Sequence, residues 1–189
     1  MNLPNKLTLF RIILVPFFVM FLLIDGIPFS GLWALIVFIL ASITDFLDGY
    51  LARKNNMVTD FGKFADPLAD KILVMSAFCC FIEMGLIGAV PVIIVLFREF
   101  AVTSVRLISA TKGKVVAANM WGKAKTVSQI IAIITTLTLQ AVLQFTGNGD
   151  LSFIFNIITN VVVWISVALT IISGVVYLKD NVDLYKNAK

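Results

Sequence analysis

Apolar residues run along most of the chain, broken by short polar intervals. Three charge-free runs, 26–44, 126–149 and 151–178, are each long enough to cross a bilayer, which takes about 20 residues as a helix. Gly147, Asn148, Gly149 and Asp150 read as a turn between the last two. The run 84–97 extends through Arg98 and Glu99 toward residue 110, and the run 12–24 extends back through Arg11. The run 72–82 is only 11 residues long. It reaches membrane length only if its helix begins near residue 61 and takes in an aspartate-rich stretch. The pattern therefore predicts an all-α, polytopic membrane protein. Its six segments fall at about 6–24, 31–54, 61–84, 88–110, 121–145 and 153–178, in a single domain over 1–189.

Composition narrows the class. The 189 residues are 60% hydrophobic and 14% charged, against roughly 45–50% and about 25% in soluble domains. That is too little polar surface for a soluble enzyme, and too much apolar content for disorder. Cys79 and Cys80 are adjacent in an apolar run and build no disulfide framework. With no histidine, His-based zinc sites and Ser-His-Asp triads are excluded. Lys6 and Arg11 before an apolar stretch resemble a signal peptide, but no small-x-small cleavage site precedes Asp25 and Gly26. The first segment is therefore expected to stay as a helix.

Charge fixes an expected orientation. The outer turns carry Asp25, Glu83 and Asp150 and no basic residue, while all 15 Lys and Arg fall at the other ends. Basic loops favour the cytoplasm, so both termini are expected there. The net charge of +4 then needs no nucleic acid as partner. Phe-rich stretches such as Phe17-Phe18 are expected against lipid or in packing. Ser, Thr and Gly in the last two helices are expected to support a homodimer by close packing.

Asp45, Asp48, Asp66 and Asp70 break the membrane pattern. Each acid at membrane depth costs roughly 2.5–3.5 kcal/mol on insertion scales, and four together repel. A divalent cation with hard oxygen preference, Mg²⁺ or Mn²⁺, offsets both costs. Asp45 and Asp48 are spaced i,i+3, and Asp66 and Asp70 i,i+4, so each pair shares a helix face. The short connection makes the two helices antiparallel neighbours whose carboxylates can converge. Gly49, Ala52 and Gly62 add small residues beside them. Asp60 reads as an ordinary capping residue. An ion or proton pathway is the other functional reading of such acids. All four lie toward one face, however, where water-soluble substrates arrive.

The stretch from Asp45 to Asp70 reads Asp45-x2-Asp48-Gly49-x2-Ala52-Arg53-x8-Gly62-x3-Asp66-x3-Asp70. These eight positions over 26 residues resemble the signature of the CDP-alcohol phosphotransferase family, and the six-segment layout is similar to that family's membrane domain. Three further blocks resemble the branch whose acceptor is sn-glycerol 3-phosphate. They are Leu3 through Thr8 to Arg11, Arg98-Glu99-Phe100-Ala101-Val102-Thr103 to Arg106, and Gly122-Lys123-Ala124-Lys125-Thr126. The resemblance implies transfer of a phosphatidyl group from CDP-diacylglycerol to sn-glycerol 3-phosphate, with release of CMP, at a cytoplasm-facing site in the cell membrane. It implies two divalent cations, Mg²⁺ or Mn²⁺, held by Asp45, Asp48, Asp66 and Asp70, with Asp70 also the general base. It places Asn5, Thr8, Asp48, Gly49, Ala52 and Arg53 along the CDP-diacylglycerol site, and the family is often homodimeric.

An acceptor phosphate needs cations of its own. Arg98 and Arg106 are i,i+8 on nearly one helix face, roughly 12 Å apart along the axis, with Lys123 and Lys125 at the next helix start. Arg offers a bidentate fork and Lys a mobile charge. Glu99 is expected to pair with, or orient, one of them. Lys112 and Lys114 read as topology residues that snorkel. The same chemistry on another acceptor, inositol phosphate or serine, is the nearest alternative; a carboxylate-lined ion transporter is the alternative of another class.

Overall fold

A computed structural model describes residues 3–54, 60–111, 120–147 and 149–182, with side chains described over 5–45, 68–109, 120–147 and 149–182. Within these residues every regular element is a helix: α1 (Leu3–Leu23), α2 (Ser30–Lys54), α3 (Asp60–Glu83), α4 (Ala89–Thr111), α5 (Met120–Thr146) and α6 (Asp150–Asp180). Three are long and apolar enough to cross a bilayer over Asn5–Leu23, Met120–Thr146 and Asp150–Asp180, and α2 carries a shorter apolar stretch, Ser30–Asp45. The outward faces are apolar too, with Ile36, Ile43, Ile93, Phe97, Phe153 and Ile165 all exposed. A surface of that kind suits lipid contact rather than water.

Local chemistry sets the ends. At the end of α3 the Leu86 N–H donates to the Phe81 carbonyl and the Gly85 N–H to the Ile82 carbonyl, both at 2.9 Å. Gly85 has φ of +70°. That is the closing pattern in which a left-handed residue satisfies the last carbonyls, and glycine adopts it without strain. The start of α2 is held from another helix. The Gly31 N–H donates to Gln144 Oε1 of α5 at 2.9 Å, and Gln144 Nε2 donates to Ser30 Oγ at 2.8 Å. An otherwise orphan amide of the first turn is thereby paired.

Packing explains the helix order. α1 lies against both α2 and α3, α5 against α2 and α6, and α4 against α6. α2 and α3 touch each other only lightly, so α1 mediates between the two helices that the sequence pairs directly. The core is built from Phe18, Phe38, Phe78, Phe81, Ile133 and Leu137, all at most 1% exposed. Phe18 and Phe38 meet with ring centroids 6.0 Å apart. Between helices in lipid, close packing replaces the hydrophobic effect as the attraction, so small residues mark the crossings. Ala34, Ala41, Ala77 and Ala132 are buried on that account. The hydroxyls of α6 turn inward as well: Thr159, Ser166, Thr170 and Ser173 are buried inside the protomer.

α2 crosses α5 closely at Gly31. A Cβ built on Gly31 lies 3.0 Å from the Ala141 amide nitrogen. Backbone cannot retreat as a side-chain tip can. Gly31→Val is expected to cost about 1–3 kcal/mol through overpacking, seen as a lower unfolding temperature in detergent. An unchanged transition would mean that α2 and α5 do not approach this closely.

Candidate active site

α1 brings a cation to the first aspartate. Arg11 is fully buried, and its Nη1 lies 2.7 Å from Asp45 Oδ1. Asp45 remains 46% exposed on its side chain, so the pair has one buried end and one solvated end. Thr8 and Asn5, about one and two turns earlier on α1, are buried as well. They share a helix stripe with Arg11 at spacings of three. Arg11 thus gains a contact with the acidic cluster that its place in the charge pattern alone does not reveal.

Asp70 sits where two small pockets meet. The first is lined by Arg11, Ala41, Ser42, Asp45, Asp70 and neighbouring apolar residues of α2, α3 and α5. The second is lined by Asp70, Lys71, Val74, Met75, Glu99, Lys125, Thr126 and Gln129. Asp45 and Asp70 of different helices therefore border one space, as the carboxylate spacing requires. Asp70 also borders a second space that holds a lysine. Lys71, Thr126 and Gln129 are lining residues that sequence reasoning did not single out. Lys71 donates to Thr103 Oγ1 of α4, and Gln129 Nε2 donates to Thr170 Oγ1 of α6 at 3.1 Å. A buried polar amide in an apolar helix is the one signal that could have drawn attention to Gln129.

The basic residues divide. Lys125 is buried, and its ammonium donates to Glu99 Oε1. Arg98 Nη1 donates to that same oxygen at 2.9 Å. Arg98 Nη2 donates to Ser173 Oγ of α6 at 2.7 Å, while its Nε has no hydrogen-bond acceptor among the described residues. A Cβ added to Gly174 would lie 3.0 Å from Arg98 Cγ, so glycine there makes room for the arginine stem. Arg106 is exposed, with its guanidinium carbon 5.6 Å from the Tyr177 ring centroid. Lys123 is exposed on the first turn of α5. Of the four expected acceptor cations, only Lys125 lines the pocket with Asp70. Arg98 stands behind it through Glu99.

The side chains of Asp48, Gly49, Ala52, Arg53, Gly62 and Asp66 lie outside the described residues, though their positions fall in α2 and α3. Lys112 and Lys114 lie outside them altogether. Among the described residues no three acidic, Cys or His side chains gather into a metal-holding group.

Comparison with known proteins supplies the family. Residues 1–172 match the family model for CDP-alcohol phosphatidyltransferase. The chain is 43% identical to a Bacillus subtilis protein over 99% of its own length and 98% of the relative's. It is 35% identical to one from Haemophilus influenzae over 97% and 98%, and 40% identical to one from Escherichia coli over 70% and 74%. All three relatives are named CDP-diacylglycerol–glycerol-3-phosphate 3-phosphatidyltransferase. Asp45 and Asp70 border one pocket, and the extent of these matches leads to one statement: the chain belongs to the CDP-alcohol phosphatidyltransferase family.

Proposed function

We propose that this protein transfers the phosphatidyl group of CDP-diacylglycerol to sn-glycerol 3-phosphate, giving phosphatidylglycerol phosphate and CMP. The names of relatives that align with it end to end support the substrates. The single observation that carries the chemistry is the position of Asp70. It borders a pocket with Asp45 on one side and a pocket with Lys125 on the other. A nucleotide phosphate on the Asp45 side and an acceptor on the Lys125 side would meet at this carboxylate.

In this reading one membrane domain spans residues 1–189 with six transmembrane helices. Both termini and the active site face the cytoplasm, in keeping with the basic residues at those ends. Arg11 of α1 helps to neutralise Asp45 of α2, and Lys125 of α5 helps to neutralise Glu99 of α4, which favours the crossing of those helices as well. A homodimer completes the expected assembly.

Asp45 and Asp70 fit a divalent cation, because both are hard carboxylate donors at one pocket from two helices. Asp48 and Asp66 follow one turn away on each helix and would complete the set. Two bound cations, Mg²⁺ or Mn²⁺, would neutralise the pyrophosphate and the departing CMP. The chain's own residues do the rest. Arg11 holds the Asp45 carboxylate in place. Asn5, Thr8, Gly49, Ala52 and Arg53 line the path of the cytidine nucleotide, beside Asp48. Lys125, with Arg98, Arg106 and Lys123, draws the acceptor phosphate. Asp70 accepts the proton of the acceptor hydroxyl, whose oxygen attacks the phosphorus that bears diacylglycerol. The bond from that phosphorus to CMP breaks, and positioning supplies much of the rate.

Purified protein in detergent micelles with Mg²⁺ or Mn²⁺ is expected to release CMP with sn-glycerol 3-phosphate, and not with inositol phosphate or serine. Release with another acceptor would overturn the acceptor assignment alone. No release from folded protein with any acceptor would overturn the reaction. Chelation should abolish turnover reversibly, with Mg²⁺ or Mn²⁺ restoring it.

Asp70→Asn should lower turnover by about 10²–10⁴-fold, the range for a lost general base, with CDP binding still measurable by calorimetry. Lys125→Met is expected to raise the KM for the acceptor about 10-fold or more, as for a lost charge-assisted hydrogen bond. Lys123→Met should raise it less. The reverse order would place the acceptor phosphate on the exposed side of α5.

A further inference from the structure

The reaction needs cations for an acceptor phosphate, but two cations packed among apolar helices repel each other and lose their hydration. Glu99 answers both problems at a single atom. Its Oε1 accepts from Arg98 Nη1 of its own helix and from the Lys125 ammonium of α5. All three side chains are nearly closed to solvent, at 11%, 12% and 8% exposure for Arg98, Glu99 and Lys125. The remaining fork nitrogen of Arg98 reaches Ser173 on α6. One carboxylate thereby links three helices at the depth of Asp70. Glu99 also lines the pocket that Asp70 and Lys125 border.

Resting on the reading of that pocket as the acceptor site, we propose that Glu99 is a positioning residue for the acceptor: its carboxylate sets Arg98 and Lys125 side by side and holds the Lys125 ammonium at the pocket shared with Asp70. The charge arithmetic favours this role over that of a general counter-ion. Lys71, Lys125 and the Arg98 behind it, set against Glu99 and Asp70, leave a surplus of one positive charge at the pocket. That surplus is available to an incoming phosphate. The geometry also separates roles. Lys125 borders the pocket and can meet the phosphate directly, while Arg98 lies behind, steadied by Ser173 and by the space at Gly174. Removing the Glu99 charge leaves Lys125 beside Arg98 with nothing between them. Lys125 then moves off its aim. The lipid donor, handled from α1, α2 and the far side of α3, is untouched by that change.

The test is steady-state kinetics of the full-length protein in micelles, varying sn-glycerol 3-phosphate and CDP-diacylglycerol separately. Glu99→Gln keeps the shape and removes the charge. It is expected to raise the KM for the acceptor about tenfold, the scale of a lost charge-assisted contact, with the KM for the donor unchanged within about twofold. Glu99→Asp should recover part of the loss. The double variant Glu99→Gln with Lys125→Met should be no worse than Lys125→Met alone, because both changes act through one ammonium. This double variant also leaves no uncompensated lysine, so it keeps the test open if Glu99→Gln folds poorly. Equal increases in both KM values, no recovery with aspartate, or additive losses in the double variant would each overturn the proposal. Wild-type protein is measured first. If it releases CMP only with a different acceptor, the acceptor assignment falls. The same variants then test Glu99 against the KM of that other acceptor.

Discussion

A charge held inside an apolar helix bundle persists only where an opposite charge meets it. That constraint organises this protein. Arg11 of α1 meets Asp45 of α2. Lys125 of α5 meets Glu99 of α4, which also meets Arg98. Each contact crosses between helices or ties a crossing to a third helix, so neutralising the acids and cations also fixes where the helices stand. Asp70 lies between the two groups and borders both pockets. The polar residues that make the helices poor membrane segments are thus the residues that align them.

The division of labour follows from packing. α1, α2 and α3 share the large aromatic and aliphatic core around Phe18, Phe38 and Phe78. They carry Asp45 and Asp70, with Arg11 beside Asp45. α4, α5 and α6 are joined by more polar contacts: Gln129 with Thr170, and Arg98 with Ser173. Several buried hydroxyls in these helices donate to carbonyls one turn back, as Thr136 does to Ala132 and Thr170 to Ser166. That back-bonding satisfies a hydroxyl without a partner helix. Among the described residues, the interhelical polar bonds at Glu99, Gln129 and Ser173 tie α4, α5 and α6 together.

Much of this was legible in the sequence. Charge-free runs and Gly-rich turns give an all-helical chain with six helices. The i,i+3 and i,i+4 aspartates give the family signature, and Asp45 and Asp70 do border one pocket. What was not legible is lateral. Short loops suggest that α2 and α3 are direct neighbours, but nothing in their sequence says that α1 packs against both and delivers Arg11. Lys123 and Lys125 are two residues apart, hence about 200° apart around a helix. Only one can face inward, and the apolar pattern around them does not say which. Arg98 reads as a cation aimed at substrate. Its turn toward α6 depends on Ser173 and on the missing side chain of Gly174, some 75 residues away in sequence. Sequence also does not say which neighbour the small residues of α6 face; Ser166, Thr170 and Ser173 are buried within the protomer.

The central claim is that an acceptor hydroxyl, activated at Asp70, attacks the phosphorus that carries diacylglycerol. The most direct measurement uses sn-glycerol 3-phosphate with ¹⁸O in its C1 hydroxyl and follows the label by mass spectrometry. The account predicts that all of the label enters the new lipid phosphodiester and that the released CMP carries none. Label recovered in a cytidylylated acceptor, with phosphatidic acid released, would contradict it.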